Sequence, residues 1–113
     1  MLTVDRIQTG IGREMKILEE LVEEMREAGD EAARAEVAYK TAYAQSRLSI
    51  RALHGKPTVD FVEAAATVDC ADQHLAHLIA SNRMTTAREA LRAAQSRLDG
   101  WRSLMVTVRA AGG

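Results

Sequence analysis

The residues best suited to chemistry lie in the stretch CADQHLAH. Cys70, His74 and His77 are separated by four and three residues, so on an α-helix their side chains would follow one face. A thiolate and two imidazoles are zinc ligands, but a structural zinc site needs four ligands in tetrahedral geometry, which a single helix rarely provides. A neighbouring aspartate or a histidine from a second copy of the chain would have to complete the site.

A structural role is the alternative interpretation of the same three residues. They fall on the flank of the helix where the apolar residues of the following segment emerge. A polar flank or a subunit contact explains them without a metal ion, and we favour that interpretation. The sequence therefore predicts no metal and no cofactor.

Four basic residues near the middle of the chain could instead contact nucleic acid. They share one side of a predicted helix and its following turn: Lys40, Arg47, Arg51 and Lys56. Such a cluster can hold phosphates. No aromatic residue is interleaved with the basic ones, and Asp60 and Glu63 follow closely, so an ordinary solvated face is the preferred interpretation. Nucleic acid remains an alternative partner that the sequence does not favour.

No pattern of residues indicates catalysis. The sequence contains no nucleophile spaced with a base, no pair of carboxylates placed for acid–base work and no glycine-rich phosphate loop. A slender pair of helices also offers no deep concavity in which a substrate could be desolvated. We expect a protein that is not an enzyme.

The elements that position these residues are divided at HGKPT, the one place where glycine and proline occur together. Proline removes a backbone donor and restricts the residue before it, so a helix should end there. Thr58 can cap the next helix. We predict helix one over about 11–53, a turn over 54–58 and helix two over about 59–110, forming one all-α domain.

Helix one carries a sustained heptad repeat of apolar and small residues, which is typical of a coiled coil. Its members recur every seven residues: Ile11, Leu18, Met25, Ala32, Tyr39, Ser46 and Leu53.

Helix two carries two stripes at different angles. The first stripe contains Phe61, Ala64, Val68, Ala71, Leu75 and Leu78. The second contains Met84, Ala87, Leu91, Ala94, Leu98, Trp101, Met105 and Val108. One partner helix cannot cover both stripes without strong twisting. We therefore predict self-association into a helical bundle, with a seam formed by Met84, Leu91, Leu98, Trp101, Met105 and Val108.

The order of charges indicates how the helices pair. Acidic residues dominate 14–31 and basic residues dominate 34–56, whereas 60–72 is acidic and 83–102 is basic. Folding the chain about the HGKPT turn brings opposite charges together, so we predict a long antiparallel hairpin. The same pattern would suit an antiparallel dimer of two chains, and the sequence does not separate the two arrangements.

The bulk composition agrees with long helices. Of 113 residues, only 4% are aromatic and one is proline, and the formal net charge is −1, which favours no global attraction to nucleic acid or acidic lipid. The single cysteine, the lack of a secretory signal pattern and the lack of an apolar run of membrane-spanning length predict a cytoplasmic protein without membrane contact.

Two segments resemble small helical proteins encoded by tailed phages of actinobacteria: AEVAYKTAYA, and the ending AREALRAAQSRLDGWRSLMVTVRA. The resemblance extends over about 35–110, and Gly100 and Trp101 depart from the usual ending of that group. It implies a phage accessory protein of the kind encoded among replication and recombination genes. No catalytic or binding residue carries over from it.

The sequence leaves four functions to compare. The leading hypothesis is an oligomeric adaptor that binds a phage or host protein acting on DNA through helix packing. The alternatives are direct nucleic-acid binding, a scaffold or assembly role in the virion, and inhibition of a host enzyme.

Overall fold

The computed structural model describes residues 2–112, and every regular element within that range is an α-helix. The helices are α1 (Val4–His54), α2 (Val59–Asp69) and α3 (Ala71–Gly112). The prediction of an all-α chain is confirmed. Two boundaries differ from those expected: α1 begins at Val4 rather than near residue 11, and the expected second helix is divided at Cys70.

The early start of α1 depends on Thr3. Its hydroxyl accepts a hydrogen bond from the backbone N–H of Arg6 at 3.2 Å, and its carbonyl accepts one from Ile7 at 3.0 Å. A threonine in this position satisfies backbone donors that the first turn leaves without partners. Asp5 adds a negative charge near the positive end of the helix dipole. The first turn is therefore capped well before Gly10.

The turn after α1 is built by glycine and threonine. Gly55 has a φ of +72°, a left-handed conformation that side chains other than glycine adopt at a cost. Thr58 then caps α2, because its hydroxyl accepts a hydrogen bond from the N–H of Phe61 at 3.2 Å. The prediction of a turn at HGKPT with Thr58 as the cap is confirmed.

The interruption between α2 and α3 is a single residue. Cys70 has φ −102° and ψ 18°, outside the helical range. Helical hydrogen bonds nevertheless continue across it, from the Cys70 N–H to the Ala66 carbonyl and from the His74 N–H to the Cys70 carbonyl, both at 2.9 Å. The change in geometry at Cys70 is thus local and does not interrupt the helical hydrogen bonding.

Contacts within the chain divide it into two units. Unit one combines residues 2–27 and 85–112, and unit two is Ala28–Met84. The buried apolar residues of unit one are Ile7, Ala87, Ala94, Leu98 and Met105. Those of unit two are Ala28, Ala32, Val62, Ala66, Cys70 and Ala80. Small side chains dominate the core of unit two, so its helices can approach closely while burying little bulk. The core of unit one also contains the larger Ile7, Leu98 and Met105.

Polar contacts join α1 to the later helices inside each unit. In unit one, the Arg97 Nε donates to both carboxylate oxygens of Glu14, at 3.0 and 3.1 Å. In unit two, the Ser46 hydroxyl donates to Asp69 at 2.7 Å. Arg83 and Glu31 form an ion pair in the same unit.

No helix within residues 2–112 is long and apolar enough to cross a bilayer.

Candidate protein-binding surface

Cys70, His74 and His77 lie on the inner side of unit two. Cys70 is buried, and the rings of His74 and His77 stack on the ring of Tyr39, with centroid separations of 4.8 and 5.7 Å and interplanar angles of 21° and 17°. Nowhere in the described part of the chain do three side chains of His, Cys, Asp or Glu converge as metal ligands would. The thiol and the two imidazoles therefore contribute to packing between α1 and the α2–α3 segment.

The four predicted nucleic-acid contacts do not form a uniform surface. Lys40 is engaged by Glu36, with an Nζ–Oε1 distance of 2.7 Å. Arg47 is half-buried, and its guanidinium lies 5.9 Å from the centre of the Tyr43 ring. Arg51 and Lys56 are exposed. Two of the four cations are thus committed to neighbours on α1.

The ion pair with Lys40 perturbs the titration of Glu36. The hydrogen bond from Lys40, followed by the charge of Lys40, lowers the pKa of Glu36 below 4.5, its ordinary value. The charge of His77 acts in the same direction as a smaller contribution. The carboxylate of Glu36 therefore stays ionised, and paired with Lys40, to a lower pH than an ordinary glutamate would.

The predicted self-association seam lies inside the chain. Leu98 and Met105 are 5% and 7% exposed, and the alternating Ala87 and Ala94 are buried with them. Four further residues of the predicted stripe are half-buried: Met84, Leu91, Trp101 and Val108. Trp101 of this stripe packs on α1 of the same chain at Gly10, and self-association through the stripe stays a prediction.

Trp101 packs against the backbone of α1 at Gly10. A methyl group added to Gly10 would lie 2.6 Å from Cε2 of the indole, closer than side chains approach in practice. The same side of unit one has an open groove of about 480 Å³ that is lined by Leu2, Asp5, Arg6, Thr9, Gly10, Arg13 and Trp101. Gly10 is therefore required for the indole to reach the helix surface.

The first predicted stripe is on the outside of unit two. Val68, Leu75 and Leu78 are 78%, 57% and 47% exposed. Together they belong to the outer α2–α3 face, which consists of Phe61, Ala64, Val68, Ala71, Leu75, Leu78 and Ile79. The sequence did not determine which of the two stripes packs against α1. The buried side of the same segment runs through Val62, Ala66 and Cys70, about half a turn away.

A signal for the true inner face was present in the sequence. Counting back from Leu98 by sevens gives Leu91, Met84, His77 and Cys70. One heptad series therefore runs from Cys70 to Leu98, and His77 and Cys70 concealed it because they are not aliphatic. The larger aliphatic side chains of the outer face had the stronger apolar signal.

Acidic residues flank the outer α2–α3 face. Residues 59–82 contain four carboxylates, Asp60, Glu63, Asp69 and Asp72, and no lysine or arginine. Asp69 accepts the hydrogen bond from Ser46 and is occupied within the unit. The face thus combines exposed apolar side chains with a negative border.

Comparison of the chain with protein-family models, curated proteins and solved structures gives no match.

Proposed function

We propose that this chain is a non-enzymatic helical hairpin that binds a partner protein by helix packing on the outer α2–α3 face. The observation that carries the proposal is the exposure of Val68, Leu75 and Ile79, at 78%, 57% and 58%, on the side opposite the buried Val62 and Ala66. A contiguous exposed apolar face with a polar border is typical of a protein interaction site.

The hairpin part of the proposal is supported by the order of contacts within each unit. In unit one, Gly10 meets Trp101 and Glu14 meets Arg97. In unit two, Glu31 meets Arg83 and Ser46 meets Asp69. In both units, residues later in α1 contact residues earlier in the α2–α3 segment. Antiparallel helices require this order of contacts.

The non-enzymatic part rests on the surroundings of the most reactive side chains. The Cys70 thiol is 2% exposed, so its surface is closed to a substrate. His74 and His77 are stacked on Tyr39 rather than directed into a cavity. Their placement supports a role in helix packing.

The expected occupant of the outer face is an amphipathic helix with basic edges. Asp60, Glu63 and Asp72 would steer such a helix and reject an acidic one, while the aliphatic side chains provide cohesion. The resemblance to phage accessory proteins suggests where to look for the helix, among proteins that act in phage DNA replication or recombination.

Site-specific photocrosslinking tests the proposal. A photoreactive amino acid replaces Leu75 on the outer face and, as a control, exposed Gln95 on α3, in the cells where the chain is naturally made. We expect the Leu75 probe alone to trap a defined protein, through a helix with basic edges, and the Val68→Asp substitution to abolish that crosslink. Equal labelling from both probes, or a crosslink that survives Val68→Asp, would contradict the proposal.

A further inference from the structure

A second apolar face lies on the outside of unit two, on α1. It consists of Ala33, Val37, Ala44 and Leu48, all exposed, with Val37 at 64% and Leu48 at 66%. The buried side of α1 in this unit runs through Ala28, Ala32 and Ser46. At about 100° per residue, Val37 and Leu48 lie roughly half a turn from that side. We call these four residues the outer α1 face.

The two outer faces have the same spacing. On α1 the intervals between Ala33, Val37, Ala44 and Leu48 are four, seven and four residues. On the α2–α3 segment the intervals between Ala64, Val68, Leu75 and Ile79 are also four, seven and four. Each set spans roughly 22 Å, or about four helical turns. Two helices with matching apolar spacing can interlock along their full contact length.

The charges beside the two faces are opposite. Residues 33–56 contain five basic side chains and one acidic side chain, whereas residues 59–82 contain four acidic side chains and no lysine or arginine. Arg34, Arg51, Asp60 and Asp72 form no side-chain hydrogen bond or ion pair with any residue that the structure describes. These charges are available to a partner.

An antiparallel contact between the faces matches side-chain sizes as well as charges. In that arrangement Leu48 meets Ala64, and Ala33 meets Ile79, so a large side chain is opposite a small one at both ends. The same register brings Arg51 towards Asp60. It also brings Lys40, which is paired with Glu36 in its own chain, towards Asp72. Contact between two α1 faces would instead set basic residues against basic ones, and contact between two α2–α3 faces would set acidic against acidic.

The faces lie on opposite sides of the same unit, so one chain cannot join them internally. We propose that the outer α1 face of one copy docks on the outer α2–α3 face of the next, giving head-to-tail self-association. Such a contact is heterologous: two joined copies together keep one free face of each kind, and the assembly extends as an open chain or closes as a ring. A contact of about four turns is small, so the association is reversible and depends on concentration.

This inference rests on the proposed function, because it names the basic amphipathic helix that the outer α2–α3 face accepts. The two can fail separately. If the chain is monomeric while the Leu75 probe still traps another protein, only the self-association is wrong. If Val68→Asp changes neither self-association nor the crosslink, both are wrong.

Sedimentation velocity with two matched variants tests the inference. Val37→Asp blocks the α1 face and Val68→Asp blocks the α2–α3 face, with the same chemical change at two exposed valines. The wild-type chain, measured from about 10 to about 500 μM, should form species larger than dimers that shrink in about 1 M NaCl, where charges are screened beyond about 3 Å. Each variant alone should be monomeric. An equimolar mixture should form a one-to-one dimer and nothing larger, because the mixture retains one intact face of each kind.

Two results would overturn it. A wild-type chain that stays monomeric throughout the concentration range excludes the contact. Either variant assembling by itself shows that like faces pair, or that another surface is used. Val106→Asp, at a valine that is 69% exposed on α3 in unit one, is the control and should assemble like the wild type. Circular dichroism of all variants should show wild-type helicity.

Discussion

At the scale of single residues, Gly10 and Gly12 lie in the same helical turn but have different surroundings. Both lie in α1, where glycine costs about 0.5–1 kcal/mol relative to alanine. Gly10 is in contact with the Trp101 indole, whereas the space beside Gly12 is open to 4 Å. Only Gly10 has a packing reason to lack a side chain.

The two glycines should therefore respond to alanine in opposite directions. Gly10→Ala should lower the free energy of unfolding by about 1–3 kcal/mol, because the methyl group overlaps the indole and forces the helices apart. Gly12→Ala should raise it by about 0.5–1 kcal/mol. Urea unfolding followed by circular dichroism measures both. In a Trp101→Leu background the Gly10→Ala penalty should shrink, and an undiminished penalty there would show that the indole is not its cause.

At the scale of elements, α1 and α3 are joined in unit one by a partly buried ion pair. The Glu14 side chain is 10% exposed and the Arg97 side chain 49%. Because the Glu14 carboxylate is largely buried, water could not replace the hydrogen bonds from Arg97 if they were lost. The pair therefore fixes the register between the helices more firmly than an exposed ion pair would.

Removal of the arginine should leave Glu14 buried without its partner. Arg97→Ala should lower the free energy of unfolding by about 1–3 kcal/mol at neutral pH. Arg92→Ala, an exposed arginine five residues earlier on the same helix, should change it by no more than about 0.5 kcal/mol. Thermal unfolding of the two variants side by side checks this. Equal losses would mean that the Glu14 contact contributes nothing beyond an ordinary surface charge.

The elements themselves follow from local chemistry that the sequence displays. The composition and the heptad repeat predict helices, and Gly55, Pro57 and Thr58 predict where the turn lies. The interruption at Cys70 could not be predicted, because neither glycine nor proline marks it and the helical hydrogen bonds continue across it. Nor does a heptad repeat reveal the early start of α1, which a threonine cap decides.

The sequence also left open which side of the α2–α3 segment packs against α1. Both of its sides are apolar, so periodicity alone does not determine which side meets α1. The structure buries Ala66, Cys70 and Ala80, small side chains that allow close approach to the alanines of α1, and exposes Val68 and Leu75. The candidate surface was therefore visible in the sequence as a stripe, but the sequence did not show that it is exposed.

At the scale of the whole molecule, each unit has a narrow core and unit two has broad apolar surfaces. Six of the eleven buried apolar residues in the described part of the chain are alanines, and the large side chains that are fully buried there are Ile7 and Val62. Several larger aliphatic side chains remain outside, among them Val37, Leu48, Val68 and Leu75. The described part of the chain thus has two sets of apolar residues, one internal and one exposed on unit two. In our proposal the internal set provides stability and the exposed set binds other molecules.

Thermal unfolding of Leu98→Asp and Leu75→Asp, at low micromolar concentration, tests that division most directly. Leu98 is 5% exposed and Leu75 is 57% exposed, and the chemical change is the same. A buried carboxylate at Leu98 should lower the midpoint by on the order of 10–20 °C, whereas Leu75→Asp should shift it by no more than about 2 °C. The opposite order, or an unchanged midpoint for Leu98→Asp, would contradict the assignment of inner and outer faces.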